Sequence, residues 1–323
     1  MHLLLSLLYI LLSIPSILST SNKINPSYIK MRADSFPLPL RIITHNIRFA
    51  IQNPVKGEKP WAQRRPYVTK ALNFHTRYNP ESFICLQEAL DNQLNDVLAD
   101  LPDFVHIGVG RDDGKKAGEY SPILYRPAVW DVVSWRTVWL SETPDRPSKG
   151  WDAGSIRLVT IGLFSHKSTE KQVVVMSTHL DNSGAKSRLE SAKILISEIN
   201  KEVQAAGDGV PVLVAGDFNS VETDGAFRTM NGTESPVSDL RELVGEKDRY
   251  GNEITFTSFA GEEARQRIDF MFVGPKVVDA NGTKGKGGLS GVDAKGYAVL
   301  ENKFDDGVVC SDHRAVVGDV VLV

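Results

Sequence analysis

Three short polar motifs interrupt apolar runs in this chain, and their residue types are those of metal-assisted hydrolysis. Gly216-Asp217-Phe218-Asn219 follows the apolar stretch 210–215. Arg267-Ile268-Asp269 is continued by the stretch 270–273, and Ser311-Asp312-His313 lies between Val308-Val309 and the stretch 315–317. An apolar strand that stops on Asp, Asn or His leaves a carboxylate, amide or imidazole at the rim of a sheet, where α/β proteins build their sites. Upstream runs supply counterparts: Asn46 ends the strand opened at Leu40, Glu88 follows the run 83–87, Glu119 precedes the strand around Tyr125, and His179 ends the run 173–178. Hard oxygen donors dominate this set, which suits Mg2+ or Mn2+ better than Zn2+. The two histidines remain for proton transfer or for stabilising developing charge. Neither a Gly-x-Ser-x-Gly elbow nor a reactive-cysteine motif is present, so water is the expected nucleophile. Each residue also has a plain explanation. Asp217-Phe218-Asn219 favours an Asx-type turn by itself, a Glu after a strand is usually only solvated, and an isolated His is more often structural.

The elements that must carry these residues follow from periodicity. Strands are expected at 41–47, 83–87, 104–109, 121–125, 132–140, 156–164, 172–178, 211–216, 268–273 and 315–322, many of them β-branched and bounded by Gly, Pro or Asp. Helices are expected at 63–77, 91–99 and 185–205; in the last, Leu189, Ala192, Leu195, Ile196 and Ile199 recur at helical spacing. So many strands with so few helices do not suit a strictly alternating parallel sheet. Two packed sheets with helices outside are expected, built from residues 41–323 as one domain. The Gly/Lys-rich stretch 281–288 looks like a flexible loop; it lacks the Gly-Lys-Ser/Thr ending of a phosphate-binding P-loop.

Bulk composition limits the partners. Of 323 residues, 41% are hydrophobic and 24% charged, an ordinary globular balance, and the net charge of −3 gives no overall basic surface for nucleic acid. Residues 1–20 read as a secretory signal peptide, with an apolar run too short for a comfortable membrane span. Residues 21–40 read as an N-terminal extension. No later segment is apolar enough to span a bilayer, and two Asn-x-Thr sequons, at Asn231 and Asn281, fit an exported glycoprotein. The two cysteines, Cys85 and Cys310, are expected to be buried free thiols; whether they are bridged stays open at this point.

The ordered set Asn46, Leu86-Gln87-Glu88, Glu119, Thr178-His179-Leu180, Gly216-Asp217-Phe218-Asn219, Arg267-Ile268-Asp269 and Ser311-Asp312-His313 resembles the endonuclease/exonuclease/phosphatase superfamily, DNase I-like in fold. It further resembles a secreted subgroup with the motifs at 110–114 (Gly-Arg-Asp-Asp-Gly), 139–144 (Trp-Leu-Ser-Glu-Thr-Pro) and 150–153 (Gly-Trp-Asp-Ala). The resemblance implies a four-layer α/β sandwich, two packed mixed β-sheets flanked by helices. It implies Glu88 as the main Mg2+ (or Mn2+) ligand, with Asn46, Asp312 and Asp217 beside it. Asp217 would orient or deprotonate the attacking water, and Asn219 would bind a non-bridging phosphate oxygen. His313 would act with Asp269, and His179 would meet the scissile phosphate with Glu119 holding it. Arg111 is expected to reach a substrate phosphate, or else to be a solvated loop charge; Arg157 and Arg188 fit structural ion pairs at least as well. Trp139 and Trp151 could line the substrate cleft or be buried.

The function expected is a secreted, divalent-metal-dependent phosphoesterase that cuts phosphodiesters by direct water attack, with DNA or RNA as the first substrate. A phosphatase or sphingomyelinase-like phospholipase is the alternative, and a non-catalytic binding module a third. No obligate protein partner is evident, and no membrane span is expected to remain after leader cleavage.

Overall fold

The computed structural model describes residues 36–207, 209–261, 265–278 and 284–323. The expected leader at 1–20, residues 21–35 of the extension expected at 21–40 and the sequon at Asn281 lie outside these residues; Leu38, Pro39 and Leu40 of that extension belong to the first strand. Among the described residues the strands are β1 (Leu38–Asn46), β2 (Phe83–Gln87), β3 (Val105–Ile107), β4 (Ile123–Tyr125), β5 (Trp130–Trp139), β6 (Leu158–His166), β7 (Gln172–His179), β8 (Val212–Asp217), β9 (Ser238–Asp239), β10 (Arg249–Gly251), β11 (Asp269–Gly274), β12 (Lys276–Val278), β13 (Lys284–Leu289), β14 (Val292–Val299) and β15 (Val316–Leu322). The helices are α1 (Trp61–Thr76), α2 (Asp91–Asp100), α3 (Ala185–Ala206), α4 (Gly225–Asn231) and α5 (Leu240–Leu243).

Two mixed sheets result, one in the order β10-β14-β15-β1-β2-β4-β3 and one in the order β5-β6-β7-β8-β11-β9, with a separate β12–β13 hairpin. Their central strands β2, β7, β8 and β11 are buried on both faces because both faces are covered. Leu40, Ile42, Phe83 and Cys85 of the first sheet meet Val173, Val175, Ala215 and Met271 of the second in the inter-sheet core. On the outside of the first sheet, Ile43, Ile84, Leu86 and Leu124 pack on Val68 and Leu72 of α1 and Leu94 and Val97 of α2. On the outside of the second, Val174, Met176, Val212 and Val214 pack on Ala192, Leu195 and Ile199 of α3. The helical spacing expected for that face is what makes the contact. The four-layer α/β sandwich is thereby formed. No helix among the described residues is long and apolar enough to cross a membrane.

All ten expected strands and three expected helices form, with shifted ends. The Gly/Lys-rich stretch departs from expectation: residues 284–289 form β13 rather than a loop. Gly and Lys carry little strand propensity, and here antiparallel pairing with β12 supplies it. β14 also escapes a reading by pattern, since its Ala and Gly positions leave a weak apolar face; it is held by its ladder with β15. Cys85 and Cys310 are both free and buried, and burial pushes each thiol up to about 12, so neither is a reactive nucleophile.

Candidate active site

Strand register assembles the site. β7 and β8 run parallel with His179 opposite Asp217, and β8 and β11 run antiparallel with Asp217 opposite Asp269. Three reactive side chains therefore stand side by side on adjacent strand ends of one sheet. From the facing sheet, β1 delivers Asn46 beside Gln87, the residue before Glu88. Gly216 is required where β8 meets β7, because a Cβ there would lie 2.1 Å from the carbonyl oxygen of Thr178.

Asp217 does two jobs with its two oxygens. Oδ1 accepts the Asn219 backbone N–H at 2.9 Å, the expected Asx turn, while Oδ2 accepts from Asn46 Nδ2 at 3.0 Å. The same Nδ2 donates to Glu88 Oε1 at 3.0 Å, so Asn46 bridges the two carboxylates. Glu88 Oε2 accepts the Phe49 N–H at 3.1 Å and lies 3.7 Å from the Arg48 guanidinium. Ser311 Oγ donates to the Asn46 carbonyl at 2.6 Å and accepts the His313 N–H at 3.2 Å, which anchors the Ser-Asp-His motif to the end of β1.

The two histidines sit at opposite sides of Asp217. His313 Nδ1 donates to Asp269 Oδ2 at 2.8 Å, and its Nε2 is 3.7 Å from Asp217 Oδ2. Burial opposes its charged form, yet Asp269 and Asp217 outweigh it and hold the imidazolium well above the usual histidine range. His179 meets the reverse environment. Arg157 donates to its Nδ1 at 2.9 Å, and its Nε2 lies 3.0 Å from Asn219 Nδ2 and 3.4 Å from Asp217 Oδ2. Burial first, then the Arg157 charge, push its pKa down to about 3, so this ring is neutral. Burial and the Asp269 charge raise Asp217, with His313 and His179 acting against them.

Several expected partners are exchanged. Glu119 does not hold His179: its Oε2 accepts from Arg111 at 2.6 Å and lies 3.6 Å from His179 Nδ1. The second charge within reach of the carboxylate, Arg157, has taken the ring nitrogen instead. Arg111 is therefore neither a solvated loop charge nor free; it lines the cleft paired to Glu119. Its loop closes on itself, with Asp113 Oδ1 accepting the Lys115 and Ala117 N–H groups at 2.7 and 2.9 Å. Trp139 and Trp151, which could line the cleft or be buried, are not among the residues lining it, and Trp139 is buried. Trp139 Nε1 donates to the Arg111 carbonyl at 2.9 Å from beneath that loop. Trp151 is held by its own backbone, which donates to Glu142 Oε2 at 3.2 Å; Ser155 and Arg157 represent its segment in the cleft. Arg188 bonds the Asp181 carbonyl at 3.0 Å and Arg267 chelates Asp239 at 2.7 and 2.8 Å, both structural contacts.

Other positioning groups carry little sequence signal. Arg64 is fully buried and donates to the carbonyls of Ile47, Cys310, Arg48 and Lys59, bracing the backbone on both sides of the rim. Asp181 accepts four backbone N–H groups, from Gly154, Ser155, Ser183 and Gly184. Burial opposes it, but those bonds bring its pKa down to about 2. Asp152, in the Gly-Trp-Asp-Ala motif, accepts the Lys186 and Ser187 N–H groups at the start of α3. Only the recurrence of Asp two residues after His179 could have pointed to Asp181.

Together these residues enclose a cleft of about 520 Å³. Arg111, Glu119, Arg157, His179, Asp217 and Asn219 form one side; Arg48, Glu88, Asp312 and His313 another; Phe49, Val55, Phe256 and Phe259 the apolar rim. Four of its lining residues, Arg48, Glu88, Asn219 and Ser258, have φ between 45° and 58°, a left-handed backbone that non-glycine residues avoid. Strain collected at one cleft is the mark of a working site.

Two groups of residues offer a metal oxygen or nitrogen ligands. Asp217, Asp269 and His313 present atoms within 4.8 Å of one another. There, however, the His313 imidazolium already supplies the positive charge between the two carboxylates. Glu88 and Asp312 fit a hard cation better. Burial raises Asp312 to about 6 and the neighbouring Glu88 charge adds to it, so two carboxylates repel each other at the rim, as groups poised for a cation would.

Residues 43–313 match the Endonuclease/Exonuclease/phosphatase family. Among solved structures, the chain is similar to an endonuclease/exonuclease/phosphatase from Bacteroides vulgatus, 32% identical with a TM-score of 0.75, covering 88% of this chain and 99% of that one. It is also similar to the mannosyl-6-phosphatase of Bacteroides thetaiotaomicron VPI-5482, 30% identical with a TM-score of 0.73, covering 88% of this chain and all of that one (100%). An uncharacterized protein of Acanthamoeba polyphaga mimivirus is 24% identical over 230 residues, 66% of this chain and 82% of that protein. The chain therefore belongs to the Endonuclease/Exonuclease/phosphatase family of phosphoester hydrolases.

Proposed function

We propose that the protein is an exported, Mg2+-dependent phosphatase that hydrolyses small phosphorylated molecules, sugar phosphates foremost. The shape and charge of the cleft carry this reading. Its volume of about 520 Å³ suits a small ligand. Its cations are spoken for internally, Arg48 beside Glu58 and Glu88, Arg111 on Glu119, Arg157 beside Asp181. Nucleic-acid affinity needs uncompensated charge along a backbone track, and a net charge of −3 does not supply it. The likeness to a mannosyl-6-phosphatase points the same way. This reading sets aside the nuclease expected from sequence.

Glu88 and Asp312, with Asn46 holding Glu88 in place, would ligate the divalent cation. Bound there, the cation supplies Lewis-acid polarisation of the phosphoryl group. The protein's own groups do the rest. Asn219 donates to a non-bridging oxygen and Asp217 Oδ2 takes the proton of the attacking water. The His313 imidazolium, held by Asp269, offsets charge growing on the phosphoryl oxygens. His179, neutral, serves as a hydrogen-bond donor on the opposite side.

Purified protein assayed on mannose 6-phosphate, glucose 6-phosphate, p-nitrophenyl phosphate, bis-p-nitrophenyl phosphate, single-stranded and duplex DNA decides the substrate class. Faster turnover of DNA or diesters than of every monoester would overturn the phosphatase reading. Activity surviving EDTA would overturn the metal assignment. Export is tested by N-terminal sequencing of the secreted protein, which should start near residue 21 if residues 1–20 are a cleaved leader.

A further inference from the structure

We propose that Arg157 is a positioning residue that fixes His179 as the neutral tautomer protonated on Nε2. In this form, Nε2–H faces the cleft, 3.4 Å from Asp217 Oδ2, as a neutral donor that a phosphoryl group can meet. The proposal deepens the phosphatase reading and rests on it for the identity of that group.

A guanidinium has N–H groups and no acceptor. Its NH1 lies 2.9 Å from His179 Nδ1, so Nδ1 must accept and the ring proton must sit on Nε2. The other tautomer would press two N–H groups together where both residues are 5% exposed and water cannot intervene. Arg157 cannot swing away easily. Its NH2 donates to Asn182 Oδ1 at 3.3 Å, and its Nε lies 3.5 Å from Asp181 Oδ2. Asp181 is itself immobilised by its four backbone N–H bonds. Glu119, the carboxylate that would favour a proton on Nδ1, is occupied by Arg111.

On the cleft side, Asn219 Nδ2 donates to the Leu180 carbonyl at 3.0 Å, which identifies that atom as the amide nitrogen. It lies 3.0 Å from His179 Nε2. Both ring nitrogens thus face a donor, and a neutral ring accepts at only one of them; the charged, braced guanidinium keeps Nδ1 as the acceptor, and Nε2–H has Asp217 Oδ2, 3.4 Å away, as its acceptor. His179 thus acts through a neutral hydrogen bond, and the charge on this side belongs to Arg157 behind it.

The test uses the full-length protein labelled with 15N-histidine, read by long-range 1H–15N correlation without substrate. His179, assigned by its loss in His179→Gln, should show the neutral Nε2–H pattern. Arg157→Met should move it to the Nδ1–H form or a mixture. It should also lower kcat on the best monoester roughly 10- to 100-fold, the usual cost of losing a group that orients a reactive ligand, with KM changed less. Arg157→Lys, which keeps a donor, should restore part of both. A wild-type His179 protonated on Nδ1 overturns the proposal, as does an Arg157→Met protein with unchanged spectrum and kcat. Should Arg157→Met fail to fold, the wild-type spectrum still decides. The spectrum needs no turnover, so a failed phosphatase assay and a wrong tautomer are told apart.

Discussion

The two sides of Asp217 treat the same side chain in opposite ways. On one side His313 faces Asp269 and Asp217 and is held as a cation; on the other His179 faces Arg157 and Asn219 and is held neutral. Both rings are 5% exposed, so burial cannot explain the difference. Partner charge decides it: a carboxylate accepts a hydrogen bond from the ring N–H and favours its positive charge, while a guanidinium disfavours a proton at the facing nitrogen. Under the proposed function, the asymmetry would divide the work on one phosphoryl group, with electrostatic stabilisation on one side and hydrogen bonding on the other.

The largest test of this contrast is unequal damage. His313→Gln removes the cation and should cost roughly 10³-fold in kcat, whereas His179→Gln, which keeps a donor amide, should cost roughly 10²-fold or less. Equal losses in steady-state assays would break the comparison. Next, Asp269→Asn should keep the shape of the pair and remove its charge, lowering kcat roughly 10²-fold. It should also bring the His313 titration down toward the ordinary histidine value by NMR; an unchanged titration would show that Asp269 is not the cause.

A smaller effect concerns the Arg111–Glu119 pair. Arg111→Ala should raise KM roughly tenfold with kcat within a fewfold, the pattern of lost ground-state binding. A fall in kcat alone would place Arg111 in the chemistry instead. The smallest effect is on stability. His313 is raised, so its contribution is present below the ordinary histidine pKa and lost as pH rises through its raised value. His45 and His179, each pushed down to about 3, contribute above the ordinary value and lose that contribution as pH falls toward 3. Stability against denaturant should therefore fall as pH drops from 6 to 4. His45→Gln should flatten that acid limb by up to about 1.4 kcal/mol per pH unit. An acid limb as steep in the variant would remove His45 from the account.

Much of the site was legible because strand endings are local. An apolar run of alternating or continuous β-branched residues bounded by Asp, Asn or His marks both the strand and the residue it presents, as at the ends of β7 and β8 (His179 and Asp217) and the start of β11 (Asp269). Partner choice was not legible. Glu119 and Arg157 both lie near His179, and their rank depends on tenths of an ångström set by the loops at 110–119 and 150–155. The place of Trp151 was not legible for a related reason: a motif shows that an aromatic is present, not which way its loop turns. β13 and β14 were missed because their residues favour no strand alone and acquire one from the neighbour.

The sequence by itself determined the chemistry on offer. It supplied oxygen ligands, an amide, two histidines and no covalent nucleophile, carried on strands whose apolar faces require a sandwich of layers. Those properties are written in residue type and short-range spacing. Only the tertiary structure decided which histidine is charged, which carboxylate holds which arginine, and that the rim closes into a small pocket with its cations already paired. Each of these depends on groups distant in sequence, such as Arg157 and His179 or Asp269 and His313, that meet in a buried setting where electrostatic preferences act at nearly full strength.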